Sequence, residues 1–111
     1  MCCFCNDMRA TLTSHQIYGD RRAAAFIDTS GPAAVHILII RVDESPLPEP
    51  DLVAMAWRMA QTMQEVYSVA DVVVLLAERG GRDAHVHVLP RDRYDTLMNT
   101  CETEHLLLVE E

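Results

Sequence analysis

The sequence predicts an α+β domain, built from an antiparallel sheet of about five strands, one main helix and a shorter C-terminal helix. Three observations lead to this fold class: short β-branched apolar runs, one long segment with apolar residues at three- and four-residue steps, and a Gly-Gly pair between two apolar runs. The 111 residues can bury one core, so we assign residues 1–111 to a single domain.

The predicted strands are short apolar segments bounded by turn residues. They cover residues 15–18, 23–27, 35–40, 71–77 and 84–89. The alanines of the second segment suit a helix equally well, so this assignment has an alternative. The last two segments flank Gly80-Gly81, which predicts that they pair as a tight antiparallel hairpin.

The main helix is predicted to follow a proline-rich connector at residues 45–50. Asp51 stands where it can cap the first turn or interact with the helix dipole. One face is apolar and rich in methionine, and we interpret this stripe as helix core rather than a cofactor site. Its members are Leu52, Met55, Met59, Met63 and Val66. Residues 92–100 are assigned to the shorter helix, and the apolar run at 105–109 is expected to pack on the domain.

The charge balance argues against several classes of protein. The formal net charge is −8, with 17 acidic residues against 9 basic ones, all of them Arg. Proteins that bind the nucleic-acid backbone usually have a basic excess, so we expect no nucleic-acid partner. The lack of Lys also excludes Schiff-base and P-loop chemistry. With no apolar run of about 20 residues and no signal-like first residues, we expect a cytoplasmic protein without a membrane partner.

The cysteines are unevenly distributed. Three of the four crowd into Cys2-Cys3-Phe4-Cys5, and Cys101 stands alone. In an intracellular protein, close-set cysteines suggest metal or redox chemistry more than a disulfide framework.

The segment around residue 85 carries two histidines on one face of a predicted strand. Because side chains alternate along a strand, Asp83, His85 and His87 point one way, roughly 6.5–7 Å apart. The intervening apolar residues point into the core. Two imidazoles on one face favour a functional site, although a solvent-exposed sheet face with surface histidines has nearly equal support.

Several motifs of the chain, in order, resemble those of the histidine-triad (HIT) family. His85-Val86-His87-Val88-Leu89-Pro90-Arg91 resembles the family signature His-φ-His-φ-His-φ-φ, where φ is apolar. The stretch at residues 17–30 resembles its Asp-containing and Ala-Phe-x-Asp motifs, and His36-Ile37-Leu38-Ile39-Ile40 resembles its His-φ-Leu-Val-φ strand. Cys2-Cys3-Phe4-Cys5 is similar to the opening of bacterial members. The resemblance covers about residues 2–93, leaving a tail at 94–111.

The resemblance implies a HIT-like fold and a nucleotide hydrolase or nucleotidyltransferase. His85 matches the histidine that attacks the α-phosphorus and forms a covalent nucleotidyl-histidine. His87 matches the residue that contacts phosphate or leaving-group oxygen, and His36 matches a histidine beside the site. This chemistry is reasonable, since neutral imidazole is a nucleophile near neutral pH and needs no cofactor.

The resemblance also implies a purine nucleotide as ligand and a homodimer, in which the helix and the tail supply apolar surface. Asp28 matches the acidic residue that holds the ribose hydroxyls, although a turn-forming role suits it equally. The residues that match the purine pocket have ordinary core positions as their alternative. These are Phe4, Phe26, Ile27 and Leu38.

The chain departs from the family where zinc-containing members bind their metal. The first triad histidine is Asp83 here, and a second histidine ligand is Glu44, whereas Cys2 and Cys5 are present. One hypothesis is an altered structural zinc site made by these four residues, although two carboxylates with two thiolates are an unusual set. The alternative is that the metal site has been lost.

The chain also departs from the family in the loop before the triad. Gly80-Gly81-Arg82-Asp83 is about three residues shorter than the usual phosphate loop, and Ala77 stands where members often have Asn. Arg79 or Arg82 is a candidate replacement phosphate ligand, because guanidinium groups bind phosphate oxygens well. We therefore retain two alternatives: a catalytically weak or inactive nucleotide-binding module, and a small metal-binding protein that uses the N-terminal cysteines.

Overall fold

In a computed structural model of the chain, the described residues are 16–31, 34–42, 47–77, 84–95 and 106–109; at 28–31, 34 and 35 only the backbone is described. Six strands and one long helix are present in these ranges. The strands are β1 (Gln16–Gly19), β2 (Ala23–Gly31), β3 (Ala34–Arg41), β4 (Val72–Ala77), β5 (His85–Pro90) and β6 (Leu106–Val109). The helix α1 spans Glu49–Tyr67, and a single 3₁₀ turn covers Arg91–Arg93.

The six strands form one antiparallel sheet in the order β1-β2-β3-β5-β4-β6. Strand β5 therefore lies between β3 and β4, near the middle of the sheet. β5 pairs with a strand on each side, and His87 lies opposite Leu38 of β3 and opposite Leu75 of β4. This order brings the histidine of β3 next to the two histidines of β5.

Helix α1 forms where the periodicity predicted it, but its buried face stops before the C-terminal end. Met63 is buried and Met59 packs against the same core, whereas Val66 is 65% exposed. The prediction that Val66 belongs to the buried face is therefore wrong, because the helix residues that pack against the main core end at Met63. The buried residues are Leu52, Met55, Ala56, Ala60 and Met63.

The start of α1 uses backbone geometry rather than a side-chain cap. Pro48 is the N-cap residue, and its carbonyl accepts the backbone N–H groups of Asp51 and Leu52 at 3.1 Å each. Asp51 lies in the first turn, where a carboxylate interacts favourably with the helix dipole. The helix ends at Ser68, whose φ of 55° is the left-handed conformation that terminates helices.

The two faces of the sheet carry separate apolar clusters. On one face, Ile37, Val74 and Val86 pack with α1 in the main core. On the other face, Phe26, Leu38, Leu75 and Leu89 form a second buried cluster. This division follows from strand alternation, since neighbouring residues of β3, β4 and β5 belong to different clusters.

The turn between β1 and β2 is organised by one carboxylate. Asp20 Oδ1 accepts the backbone N–H groups of Arg22 at 2.6 Å and Ala23 at 2.9 Å, and the Tyr18 hydroxyl donates to Oδ2 at 2.7 Å. The Tyr18 hydrogen bond, followed by the two backbone N–H groups, lowers the pKa of Asp20 to about 2. The same hydrogen bond raises the pKa of Tyr18.

The sheet has one more strand than the sequence predicted. Residues 106–109, expected only to pack on the domain, form β6 and pair with β4 along Val74–Ala77. The alanine-rich segment is a strand, not a helix. The predicted pairing of β4 with β5 is confirmed, but residues 78–84 separate the paired Ala77 and His85, so the connection is longer than a two-residue turn. Of the predicted helix at 92–100, the described part contains the 3₁₀ turn and a helical start at 94–95.

Candidate active site

Three histidines lie on the sheet face that is opposite α1. On β5, Val86 and Val88 pack with the helix-side core, so alternation directs His85 and His87 to the other face. On β3, Ile37 and Ile39 face the helix in the same way. His36 consequently lies on the same face as the β5 pair, on the strand directly beside them.

The three imidazoles are in direct contact. His36 Nε2 and His87 Nδ1 are 2.8 Å apart, a hydrogen-bond distance, and the two rings stack with centroids 5.0 Å apart and planes inclined by 25°. The His85 ring meets His87 edge-on, with centroids 5.1 Å apart and an angle of 71°. None of the three has solvent-exposed surface. His87 is thus the central member, in contact with both others.

The hydrogen bond between His36 and His87 has a chemical consequence. When two imidazole nitrogens form a hydrogen bond, one carries the proton and the other accepts it. One proton of the pair therefore lies between the two rings. In a neutral pair, the donating ring has an acceptor as its other nitrogen, and the accepting ring carries its own N–H on its other nitrogen, where it can donate.

The strand neighbours of the histidines are apolar. In register, His87 lies between Leu38 and Leu75, and His85 lies between Ile40 and Ala77. Leu38, Leu75 and Ala77 have no exposed surface. In such surroundings electrostatic interactions and hydrogen bonds are stronger than in water. The alternative interpretation, a solvent-exposed sheet face with surface histidines, does not fit this burial.

Two of the four residues predicted to line the purine pocket lie on the histidine face. Phe26 and Leu38 are opposite one another in register and belong to the second cluster, and Leu38 is also opposite His87. Ile27 packs against the helix-side core, so the structure does not bring it to the site. Strand alternation along β2 predicts that Phe26 and Ile27 lie on opposite faces, because adjacent residues of a strand cannot share a face.

Asp28 is placed by its backbone register. It is the partner of His36 in the pairing of β2 with β3. The residue predicted to bind ribose therefore lies one strand away from the histidine cluster, in the row that contains His36.

Several predicted site residues lie outside the described residues. These are Phe4, Arg82 and the four predicted metal ligands Cys2, Cys5, Glu44 and Asp83. Their roles stay predictions. Within the described ranges, no group of three or more His, Cys, Asp or Glu side chains is arranged to hold a metal ion.

Strand β6 extends the histidine face, which no pattern in the sequence predicted. Leu106 is opposite Ala77 and packs against the second cluster, and Leu108 is opposite Leu75. The apolar tail showed that these residues were candidates for burial, but no local pattern identifies the strand with which they pair.

Two surface cavities in the described part of the chain lie away from the histidines. One, of about 340 Å³, is lined by residues that include Trp57, Gln64 and Arg91; the other, of about 600 Å³, lies at the end of β5 beside Ser68 and Arg93. No histidine lines either of them.

Within the described ranges, α1 is the one long helix, and it lacks the continuous apolar length that a membrane span requires.

Comparison with known proteins identifies similarity at the level of the fold. No family model and no curated protein matches the sequence. The structure is similar to SMU.412c from Streptococcus mutans UA159, with a TM-score of 0.50 and 22% identity over 81% of this chain and 65% of that one. A protein from Bacillus subtilis, described as a member of the HIT family, gives a TM-score of 0.49 and 17% identity over 81% of this chain and 72% of that one.

This chain thus spans less than two thirds of SMU.412c. At this level of identity the similarity concerns the fold. The prediction of an α+β domain is confirmed, with six strands in place of about five, and the fold is similar to that of SMU.412c.

Proposed function

We propose that this chain is a nucleotide hydrolase or nucleotidyltransferase of the histidine-triad type, acting on the α-phosphate of a nucleoside monophosphate derivative. One observation carries the proposal: His36, His85 and His87 come together on one sheet face from two strands, with a 2.8 Å hydrogen bond between two of them. The substrate class is a nucleoside phosphoramidate, a dinucleoside polyphosphate or a similar conjugate.

His85 is the proposed nucleophile. An unprotonated ring nitrogen of His85 forms a bond to the α-phosphorus as the bond to the leaving group breaks. For a phosphoramidate, the departing amine nitrogen takes a proton. Water then attacks: its oxygen bonds to phosphorus, the bond to His85 breaks, and one water proton is released. The covalent intermediate divides one difficult displacement into two easier ones.

The His36–His87 pair is proposed to give the proton that the leaving amine takes and to accept the proton that the attacking water releases. A neutral imidazole pair that gave up a proton would become an anion, so the proposed acid is the pair in its cationic form, an imidazolium hydrogen-bonded to a neutral imidazole. His87 of this pair contacts His85 directly. The pair can therefore protonate the leaving group in the first step and recover a proton from water in the second. General acid–base catalysis of this kind typically contributes 10²–10⁴-fold.

The nucleoside is proposed to lie over β2 and β3. Asp28 is the register partner of His36, and a carboxylate can accept hydrogen bonds from two ribose hydroxyls. Phe26 and Leu38 supply apolar surface in the adjacent row, which suits a purine. Phe4 and Arg82 complete this proposed binding set for base and phosphate.

A second candidate is a nucleotide-binding module without turnover. It is favoured by the complete burial of the three imidazoles and by the strand partners of His85. Neither Ile40 nor Ala77 offers a side-chain donor to a phosphate group.

A structural zinc ion held by Cys2, Cys5, Glu44 and Asp83 is a separate proposal that rests on the sequence alone. Carboxylates do bind zinc, but two thiolates with two carboxylates are an unusual structural set. No step of the proposed reaction runs through a metal. Metal content near one ion per chain, in protein purified under reducing, chelator-free conditions, supports this proposal; low content contradicts it and also the small metal-binding protein.

We also propose that the chain forms a homodimer in the cytoplasm. The end of α1 and strand β6 expose apolar side chains, with Val66 at 65%, Tyr67 at 43% and Leu107 at 44% exposure. A second copy is a natural way to cover such surface. Light scattering at micromolar concentration tests this, and a monomer contradicts it.

The test of function is AMP release from adenosine 5′-phosphoramidate and from a diadenosine polyphosphate, by wild type and His85→Ala. We expect wild type to release AMP from at least one substrate and His85→Ala to release none. Intact-mass measurement after rapid acid quench should detect the covalent nucleotidyl adduct in wild type only. Circular dichroism of both proteins controls for folding.

Two outcomes contradict the proposal. Equal AMP release by wild type and His85→Ala would show that His85 is not the nucleophile. Tight nucleotide binding without release from either substrate favours the binding module instead.

A further inference from the structure

A cavity lies where helix α1, the start of β4 and the end of β6 come together, and none of its described lining residues is a histidine. Its volume is about 340 Å³, inside the range of roughly 300–1,000 Å³ that small-molecule sites have. Trp57, Gln61 and Gln64 follow one another at steps of four and three residues, so they form one stripe of α1 along the cavity. The proposed reaction uses none of these side chains.

An ion pair forms the polar part of this cavity. Arg91 Nε donates to Asp71 Oδ2 at 2.6 Å, and the backbone N–H of Arg91 donates to the carbonyl of Asp71 at 3.0 Å. Within the described part of the chain, neither the two Nη groups of Arg91 nor Oδ1 of Asp71 has a hydrogen-bond partner. Both side chains are more than half exposed, and water competes with such a pair, so both groups are available to a ligand.

Two amides line the cavity together with the ion pair. Gln64 Nε2 donates to the carbonyl of Ala70 at 3.3 Å, which leaves the Oε1 atom of this amide as an acceptor. Gln61 is exposed, and its amide both donates and accepts. These groups supply donors and acceptors without adding charge.

The charges of the cavity are balanced. Arg91 and Asp71 are the charged residues among its described lining, and their charges cancel. A ligand that carries one cationic and one anionic group therefore complements the site, whereas a ligand with a single charge leaves one of the two residues unmatched.

The rest of the described lining is apolar. Trp57 and Val109 are half-buried against the main core, so each keeps surface that a ligand can cover. Ala60 and Val72 also line the cavity and are buried. An alkyl group placed against this wall would bury apolar surface, which favours binding. The cavity thus combines an apolar wall with a charge-balanced polar part.

We propose that this cavity is a binding site for a free amino acid with an aliphatic side chain. The carboxylate of the ligand binds the Nη groups of Arg91, because a guanidinium fork matches a carboxylate. Its ammonium group donates to Oδ1 of Asp71 and to the amide oxygen of Gln64. Its side chain lies against Trp57 and Val109. This inference goes beyond the proposed function and does not depend on it.

Trp57 is the only tryptophan of the chain, so its fluorescence reports directly on this cavity. The probe is L-leucine, titrated into the full chain. We expect a saturable change in Trp57 emission with a Kd of about 1 mM or lower, and calorimetry should give the same Kd. Two analogues each lack one charged group: 4-methylpentanoate has no ammonium group and 3-methylbutylamine has no carboxylate. Each should bind at least about tenfold more weakly, since each loses a charge-assisted hydrogen bond.

The chain offers matched control variants, because Asp92 and Arg93 lie next to Arg91 in sequence but do not line this cavity. We expect Arg91→Gln and Asp71→Asn each to weaken leucine binding at least about tenfold. Arg93→Gln and Asp92→Asn make the same changes of charge and should alter the Kd less than about twofold. Urea unfolding shows that each variant is folded, and Trp57 gives the same signal in all four.

Three results would overturn the site. The first is the lack of a saturable change with leucine up to about 20 mM, well above the expected Kd. The second is equal affinity for leucine and for the two analogues, which would show that the paired charges are not recognised. The third is equal weakening in the Arg91 and Arg93 variants, or in the Asp71 and Asp92 variants, which would place the ligand elsewhere. Because every readout is binding, none of these results bears on the proposed reaction at the histidines.

Discussion

His36 and His87 are 51 positions apart in sequence, yet His36 Nε2 and His87 Nδ1 lie within 2.8 Å in the interior of the protein. Their rings stack with centroids 5.0 Å apart. The contact exists because β5 enters the sheet beside β3 rather than at its edge. Sheet order thus converts two separate strand motifs into one cluster of imidazoles.

The hydrogen bond between these histidines predicts a non-additive effect of mutation. His36→Leu and His87→Leu each remove the same bond, so each should reduce AMP release by about 10²-fold, and the double variant should lose little more than the worse single one. Each single variant also leaves a buried nitrogen without this partner, which should cost about 1–3 kcal/mol in the free energy of unfolding. Steady-state kinetics and urea unfolding of the three variants check this.

Additive losses in the double variant would show that the two side chains act independently. Leu38→Met is the control, since Leu38 is opposite His87 in register and such a swap usually costs under about 1.5 kcal/mol. Its unfolding free energy shows how sensitive this face is to a change of side-chain shape alone.

The different burial of two α1 residues predicts different stability effects at positions three residues apart. Met63 is 1% exposed, so Met63→Ala should lower the free energy of unfolding by about 2–5 kcal/mol. Val66 is 65% exposed in the single chain, so Val66→Ala should change the free energy of unfolding by no more than about 0.5 kcal/mol in protein dilute enough to be monomeric. Urea unfolding of both variants measures the difference. Similar losses at the two sites would mean that the last turn of the helix is covered in solution.

The hydrogen bonds in the turn between β1 and β2 predict that replacing Tyr18 shifts the pKa of Asp20. Tyr18→Phe removes the hydrogen bond that contributes most to the low pKa of Asp20, so this pKa should rise from about 2 toward its ordinary value of 3.8. The two backbone N–H groups keep it from returning fully. NMR titration of the Asp20 carboxyl carbon measures the change, and an unchanged midpoint would contradict the assignment of the hydrogen bond.

The sign of the associated stability effect follows from the lowered pKa of Asp20. A carboxyl group whose pKa is lower in the folded state stabilises the fold above its ordinary pKa, and this contribution is lost as pH falls toward the folded value. The difference in stability between wild type and Asp20→Ala should therefore be constant above about pH 5 and decrease between about pH 4 and pH 2. Thermal unfolding across this range tests the direction, and a difference that grows on acidification would contradict it.

Local patterns predicted much of the fold and part of the site. Alternation along residues 83–89 predicted that His85 and His87 share a face, and the structure confirms it. The same alternation separates Phe26 from Ile27, but family resemblance had placed both in one pocket. The structure places Ile27 with the helix-side core.

The sequence by itself determined the α+β class, the position of α1 and the location of five strands, because helix and strand periodicities are local properties of the chain. It also identified the histidines. Only the tertiary structure decided that β5 lies between β3 and β4, that Val66 projects beyond the core, and that residues 106–109 pair with β4. These features depend on which distant segments bury each other's apolar surface, and no local pattern encodes the choice of partner.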